Sequence, residues 1–234
     1  MDLLHLSNLI KTIDWESFLT PVWLSLKVSL IASIIVLLLG ISAAWWMTNK
    51  RFFGKTFVET TFMLPLVLPP TVVGFILLML LGRRSWIGQS LEWLYGRTVI
   101  FSWGAAVIAA VVVSFPLVYQ TLKVGFSSVQ QDYVDAARSS GASEWQVLRF
   151  ITLPLSARSL MTAYLLGFAR ALGEFGATLM IAGNIPGKTQ TIPTAIYVAA
   201  QSDHMGLAWL WTLGVVIISF ILMLVVRKKG EEQH

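Results

Sequence analysis

An all-α, polytopic transmembrane helical bundle with five spanning helices is the fold class that this sequence predicts, and three observations carry the prediction. Several near-charge-free runs reach about 18 residues or more, the length a hydrocarbon core demands of a helix. Apolar residues make up 56% of the 234, with a mean hydropathy of +0.73. Ten tryptophans, many near the ends of those runs, suit the interfacial belts of a membrane protein.

The same composition excludes other classes. The net charge of +5 comes from Lys and Arg gathered in particular loops, which points to membrane orientation. No recognition helix or aromatic-and-basic groove is present, so lipid is the expected partner and nucleic acid is not. With no cysteine there is no disulfide, thiolate metal site or cysteine nucleophile. His5, His204 and His234 stand apart from one another and read as solvated or interfacial. No metal-ligand spacing, Ser-His-Asp set or facing carboxylate pair emerges, so no catalytic residue, metal ligand or bound cofactor is assigned.

Residues 1–20 are mixed, with Trp15, Phe18 and Leu19 beside Asp14 and Glu16, and read as an external or interfacial segment. They lack a basic n-region and a small-residue cleavage site, so no cleaved signal peptide is expected and the first span must target the chain. That span, 21–47, opens at Pro21 and carries Lys27 near its start, placed to snorkel. Ser25, Ser29, Ser33, Gly40 and Ser42 give it small packing surfaces. The short loop 48–56, with Lys50, Arg51 and Lys55, is basic and therefore cytoplasmic.

The second span, 57–81, is interrupted by Pro65, Pro69 and Pro70, with Gly74 beyond. Irregular backbone at membrane depth survives only where it is buried in protein or lines a cavity. Pro69, Pro70, Thr71 and Gly74 are therefore candidates for the substrate path, a structural kink being the other reading. Residues 82–98 form an external loop and 99–122 the third span, in which Gly104, Ala105, Ala106, Ala109 and Ala110 suit close packing, including across a twofold axis. The fourth span, 155–182, carries Arg170 and Glu174, four apart and able to pair on one helix face. Either they line or close a path for an oxyanion, or they brace a helix interface. An external loop, 183–206, precedes a fifth span, 207–226. A turn through Asn184, Pro186 and Lys188 closes the external mouth or is a plain Gly/Pro turn; its spacing and setting do not match a phosphate loop. Ten Lys and Arg fall on the assigned inside and five outside, fitting an outside N-terminus and a cytoplasmic C-terminus. One membrane domain, 21–227, is followed by a short cytoplasmic tail, 228–234.

Between the third and fourth spans lies a polar stretch, 131–154, too polar to span and too well patterned to be slack. Its first half reads as a short Ala-rich helix stopped by Gly141. A second amphipathic turn carries Trp145, Leu148 and Phe150 and leads to Pro154. The order Asp135-Ala136-Ala137, Gly141, then Ile151-Thr152-Leu153-Pro154 resembles the coupling loop of ATP-binding-cassette importer permeases, with Asp where Glu is usual. The stretches 169–178 and 181–191 resemble molybdate permeases in particular. This likeness, which runs from about Pro21 to Arg227, implies the importer permease fold and a coupling helix seated on a separate ATP-hydrolysing subunit. It assigns Ala136, Ala137 and Gly141 to that contact. Asp135, near the helix start, would favour its dipole, and Tyr133, Glu144 and Trp145 would supply anchors and a charged contact.

The resemblance further implies a bacterial inner-membrane location and molybdate as substrate. Its implied partners are a second copy of the chain, two ATPase subunits that use ATP and Mg, and an external molybdate-binding protein. Sulfate or tungstate import by the same machinery is the alternative. A secondary transporter with Glu174 as its coupling carboxylate is a further one, opposed by the lack of an inverted repeat.

Overall fold

The computed structural model describes residues 15–50 and 52–231, and every regular element among them is helical. Three helices are long and apolar enough to cross a membrane: α1 (Trp15–Asn49), α5 (Trp103–Ser127) and α12 (Met205–Glu231). Two bent helix pairs are apolar enough to be added to these as broken spans or re-entrant loops. The limbs α2 (Lys55–Val67) and α3 (Pro70–Leu81) meet at 114°, and α9 (Ala157–Leu172) and α10 (Gly176–Ala182) meet at 61°. Counting each pair as one span gives the five expected.

Small residues bring these elements together. The buried stripe of α1 runs through Ser25, Ser29, Ala32, Ser33, Val36, Gly40 and Ala44 at helical spacing and packs chiefly on α5 and α9. At Gly40 a Cβ would come within 2.9 Å of Val118 and 3.0 Å of Leu122, and at Gly167 within 2.8 Å of Val118. Ala105, Ala106, Ala109 and Ala110 are spent in the same interior, clustered with Leu24, Val28 and Ala32 of α1 and Ala177 and Ile181 of α10. They therefore pack within the chain and leave no free face for the twofold contact that their spacing also allowed.

Several boundaries differ from the sequence reading. Helix α1 is already formed at Trp15, ahead of Pro21, because its first turns have a tertiary partner: Phe18 stacks on Trp211 at 5.5 Å, and Trp211 Nε1 donates to the Phe18 carbonyl at 3.0 Å. Asp2, His5 and Asp14 lie outside the described residues. The loop 82–98 contains a helix, α4 (Trp86–Tyr95), begun by Ser85 Oγ accepting from Gly88 N at 2.8 Å. The loop 183–206 contains α11 (Ile192–Gln201), whose first N–H donates to Ser25 Oγ of α1 at 2.7 Å. Both are ten residues long, below spanning length. Lys27 Nζ lies 4.1 Å over the Trp103 ring, a cation–π contact.

Candidate coupling and translocation sites

The polar stretch folds as four short pieces. Helix α6 (Gln131–Ser139) ends where Gly141 takes φ +87°, and Ala142 N returns to the Ala137 carbonyl at 3.0 Å. Ser143 then caps α7 (Glu144–Val147) through a capping box with Gln146. A π-helical turn, Leu148–Thr152, and the three-residue α8 (Leu153–Leu155) carry the chain towards α9.

Arg138 ties these pieces to each other and to the first span. Its Nε and Nη2 donate to the two Glu144 carboxylate oxygens at 2.8 and 3.0 Å, bridging α6 to α7 in a bidentate pair. Nη2 also donates to Asn49 Oδ1 at 3.1 Å, at the last residue of α1, and Nη1 lies 3.5 Å from Asp135. Hydrogen bonding to Arg138 holds the Glu144 carboxyl below its usual pKa, and the same bond raises that of the guanidinium. Glu144, expected to supply a charged contact, pairs with Arg138 within the chain while its side chain stays 55% exposed. Asp135 departs from its expected place. It sits mid-helix and accepts from Gln131 Nε2 at 3.2 Å, while Asp132 occupies the first turn. Tyr133 and Trp145 are exposed, and Tyr133, Ala136, Ala137, Phe150 and Pro154 border a concavity of about 470 Å³.

The two bends meet one another. Pro69 and Pro70 have no N–H to give, so α2 ends at Val67 and α3 restarts with a proline in its first turn, where no donor is lost. A Cβ at Gly74 would come within 2.7 Å of the Ala177 Cα and 2.8 Å of the Met180 Cβ. One at Gly176 would come within 3.1 Å of Pro70 and 3.3 Å of Thr71. Backbone therefore lies on backbone, and the candidate residues of the second span are brought beside the break in the fourth. Pro69, Pro70 and Thr71 remain exposed while Gly74 is buried.

Glu174 does not share a helix face with Arg170, because α9 ends at Leu172 and Glu174 stands in the break. Its carboxylate is 2% exposed and satisfied twice: Oε2 lies 2.8 Å from Arg170 Nη1, and Oε1 accepts from Ala177 N at 2.8 Å. The acid thus caps the first turn of α10 while pairing with the last turn of α9.

At the other candidate turn, Gly183 and Gly187 adopt positive φ, and the N–H groups of Lys188, Thr189 and Gln190 converge on the Ile185 carbonyl. Pro186 and Lys188 are exposed, whereas Asn184 Oδ1 is buried with no partner. One polar pair escaped the sequence reading: Lys123 Nζ lies 2.6 Å from Glu59 Oε1, joining α5 to α2. Glu59 is the sole charge between residues 57 and 81, and a lone acid in an apolar run signals a partner elsewhere. Among the described residues no group of His, Asp and Glu could hold a metal ion.

Residues 28–228 match the family described as the binding-protein-dependent transport system inner membrane component. The chain belongs to this family. It is a multi-pass inner-membrane permease subunit of an ATP-binding-cassette importer, a transport component and not an enzyme. Importers of this architecture combine a permease dimer with ATPase subunits, which handle ATP and Mg²⁺, and an external binding protein. Among relatives, YvgM of Bacillus subtilis (strain 168), provisionally named a molybdenum transport system permease protein, is 54% identical over 218 residues, covering 93% of this chain and 96% of its own. The molybdenum transport system permease protein ModB of Escherichia coli (strain K12) is 41% identical over 213 residues, covering 90% and 91%. A sulfate transport system permease protein, CysW of Synechococcus elongatus, is 30% identical over 231 residues, covering 97% and 80%. In fold, the crystal structure of a bacterial ABC transporter that imports alginate matches at a TM-score of 0.76 and 15% identity, covering all of this chain and 84% of that one. The MetNI methionine transporter, in inward-facing form, matches at 0.64 and 14%, covering 89% and 92%.

Proposed function

We propose that this permease conducts molybdate as a homodimer, driven by two ATPase subunits and fed by an external molybdate-binding protein. The 54% identity to a relative named for molybdenum transport, over nearly the whole of both chains, carries the choice of substrate. Tungstate is expected to follow the same path. Sulfate is the second reading, favoured by relatives named for sulfate transport at 33% and 30% identity.

In this reading the N-terminus is external and the C-terminus cytoplasmic, supported by the twofold excess of Lys and Arg on the assigned inner loops. Residues 131–154 are the handle. Tyr133, Ala136, Ala137, Gly141 and Trp145 seat it on the ATPase, and Asp135 and Glu144 hold its shape through Arg138. The clamp from Arg138 to Asn49 supports transmission from the handle to α1. The bends at Pro69, Pro70, Thr71, Gly74, Arg170 and Glu174 form a hinge beside the path, while Asn184, Pro186 and Lys188 lie at the external mouth. A gradient-driven transporter using Glu174 is disfavoured, since that carboxylate is buried and engaged on both oxygens.

Uptake of labelled molybdate, tungstate and sulfate by vesicles holding the complete assembly tests the proposal. ATP-dependent molybdate and tungstate uptake, with sulfate weaker, is the expected result. Sulfate uptake without molybdate overturns the substrate, and uptake that persists without ATPase subunits overturns the mechanism.

A further inference from the structure

Helix α4 is too short to span, yet it carries a bare apolar face. Trp86 and Trp93 are 87% and 88% exposed, and Ile87 and Leu94 are 50% and 66% exposed. Each pair is seven residues apart, so the four lie on adjoining lines of one helix face. The other flank is polar and already tied down: Gln89 Nε2 donates to the Arg83 carbonyl at 3.2 Å, and Glu92 pairs with Arg83 at 3.3 Å. Gly88 fixes where the helix sits. A Cβ there would run into the Gly82 carbonyl and come within 2.7 Å of that of Leu81, the last residue of α3. The backbone of α4 therefore rests on the end of a limb apolar enough to belong to a span, at the level where that limb leaves the hydrocarbon. At about 100° per residue, Gly88 stands about 200° from Trp86, so the tryptophan face is turned away from this contact.

We propose that α4 is an interfacial helix that docks on the lipid surface, its apolar face seated at the boundary of headgroups and acyl chains, with Arg84 and Arg97 on the phosphates of anionic phospholipid. Position favours lipid over a protein partner, because the contact with α3 holds the helix at the membrane boundary. Composition favours it as well: indole rings settle at headgroup level, and an amphipathic helix flanked by arginine binds anionic lipid by apolar burial and charge together. Charge complementarity is the third argument. Arg84 and Arg97 bracket the helix, are exposed and have no partner among the described residues. Residues 82–98 carry three arginines against one glutamate, and those three are most of the five Lys and Arg assigned to the outside. A seat on anionic headgroups gives that basic cluster a use which the inward bias of positive charge does not. The leaflet follows from the proposed orientation; the seat on the membrane does not depend on it.

The chain has no cysteine, so nitroxide labels can be placed singly. Ile87→Cys, Trp93→Cys and Gln89→Cys are labelled in the complete assembly, reconstituted without binding protein into vesicles of phosphatidylcholine and phosphatidylglycerol. Accessibility of each label to oxygen, which enters lipid, and to a water-soluble nickel chelate gives its depth. Labels at 87 and 93 should favour oxygen and lie about 5–10 Å into the headgroup and acyl boundary, whereas the label at 89 should favour the chelate. In phosphatidylcholine alone, 87 and 93 should move towards water, and Arg84→Gln with Arg97→Gln should give that shallower depth in both lipids. The proposal is overturned if 87 and 93 favour the chelate as strongly as 89. It is equally overturned if both are shielded from oxygen and chelate alike, as a second copy over this face would cause, or become so when the external binding protein is added. A depth indifferent to phosphatidylglycerol overturns the role of the two arginines. None of these readings requires transport, so failure of the import reading would leave them intact.

Discussion

Arg138 illustrates how one side chain can fix the shape of a segment whose sequence pattern advertises other residues. Replacing it with Ala releases Glu144 on α7 and Asn49 at the end of α1 together. We expect Arg138→Ala to insert and assemble, yet to reduce uptake by more than it reduces ATP hydrolysis, since force would no longer reach α1; equal losses in both assays would contradict this. The pair is partly exposed, so its contribution is small, about 0.2–1 kcal/mol. Because the Glu144 pKa is depressed, that contribution is complete above the unfolded value of about 4.3 and is lost as pH falls through the lower folded value. Amide exchange across 131–147 should therefore rise only in acid, and Glu144→Gln should flatten that dependence. Gly141, at φ +87°, poses a backbone problem. A side chain there costs roughly 1–2 kcal/mol, and Gly141→Val should abolish uptake while leaving insertion intact, measured as transport against membrane-fraction yield. The helix stop at Gly141 was legible in the sequence. Arg138 was not, since its decisive partner lies 89 residues away.

At the scale of elements, long spans announce themselves because little else in a protein is apolar for so many residues. The prolines at 69 and 70 likewise foretold a break, but neither its angle nor its partner. The reason is geometric: the docking of α3 on α10 depends on glycines that carry no side-chain signature. Gly74→Leu should separate those limbs, because its Cβ would meet the Ala177 backbone at 2.7–2.9 Å; a drop in thermal stability of the detergent-solubilised chain by several degrees is the expected reading. Glu174 offers a sharper comparison. Glu174→Ala loses both the cap on α10 and the bond to Arg170, whereas Glu174→Gln can still accept from Ala177 N. Stability should therefore fall further in the Ala variant than in the Gln variant. Equal stability with unequal transport would instead support a direct role in the path. The short helices α4 and α11 escaped the sequence reading because ten residues leave too little periodicity to outweigh the polar composition around them.

For the molecule as a whole, the all-helical membrane bundle was readable from composition and its family from the resemblance of the coupling stretch, while the assignment of packing faces was not. The alanines of α5 look as suitable for a second copy as for α1, and only the folded chain shows that they are already used. Orientation rests on charge bias and can be tested directly. Cysteines at Ala136 and Gly141 should react with impermeant reagents from the cytoplasmic side alone, and one at Lys188 from the opposite side alone. The reverse pattern would remove the handle from reach of the ATPase.

Gly74 and Gly176 are keyed to one another's limbs so closely that neither limb has a private future. A lineage that enlarges residue 74 must make room at 177 or 180, and one that enlarges 176 must yield at 70 or 71. Drift at this crossing should thus be written in pairs, a ledger of compensating changes that comparison of many descendants could read without a single transport assay.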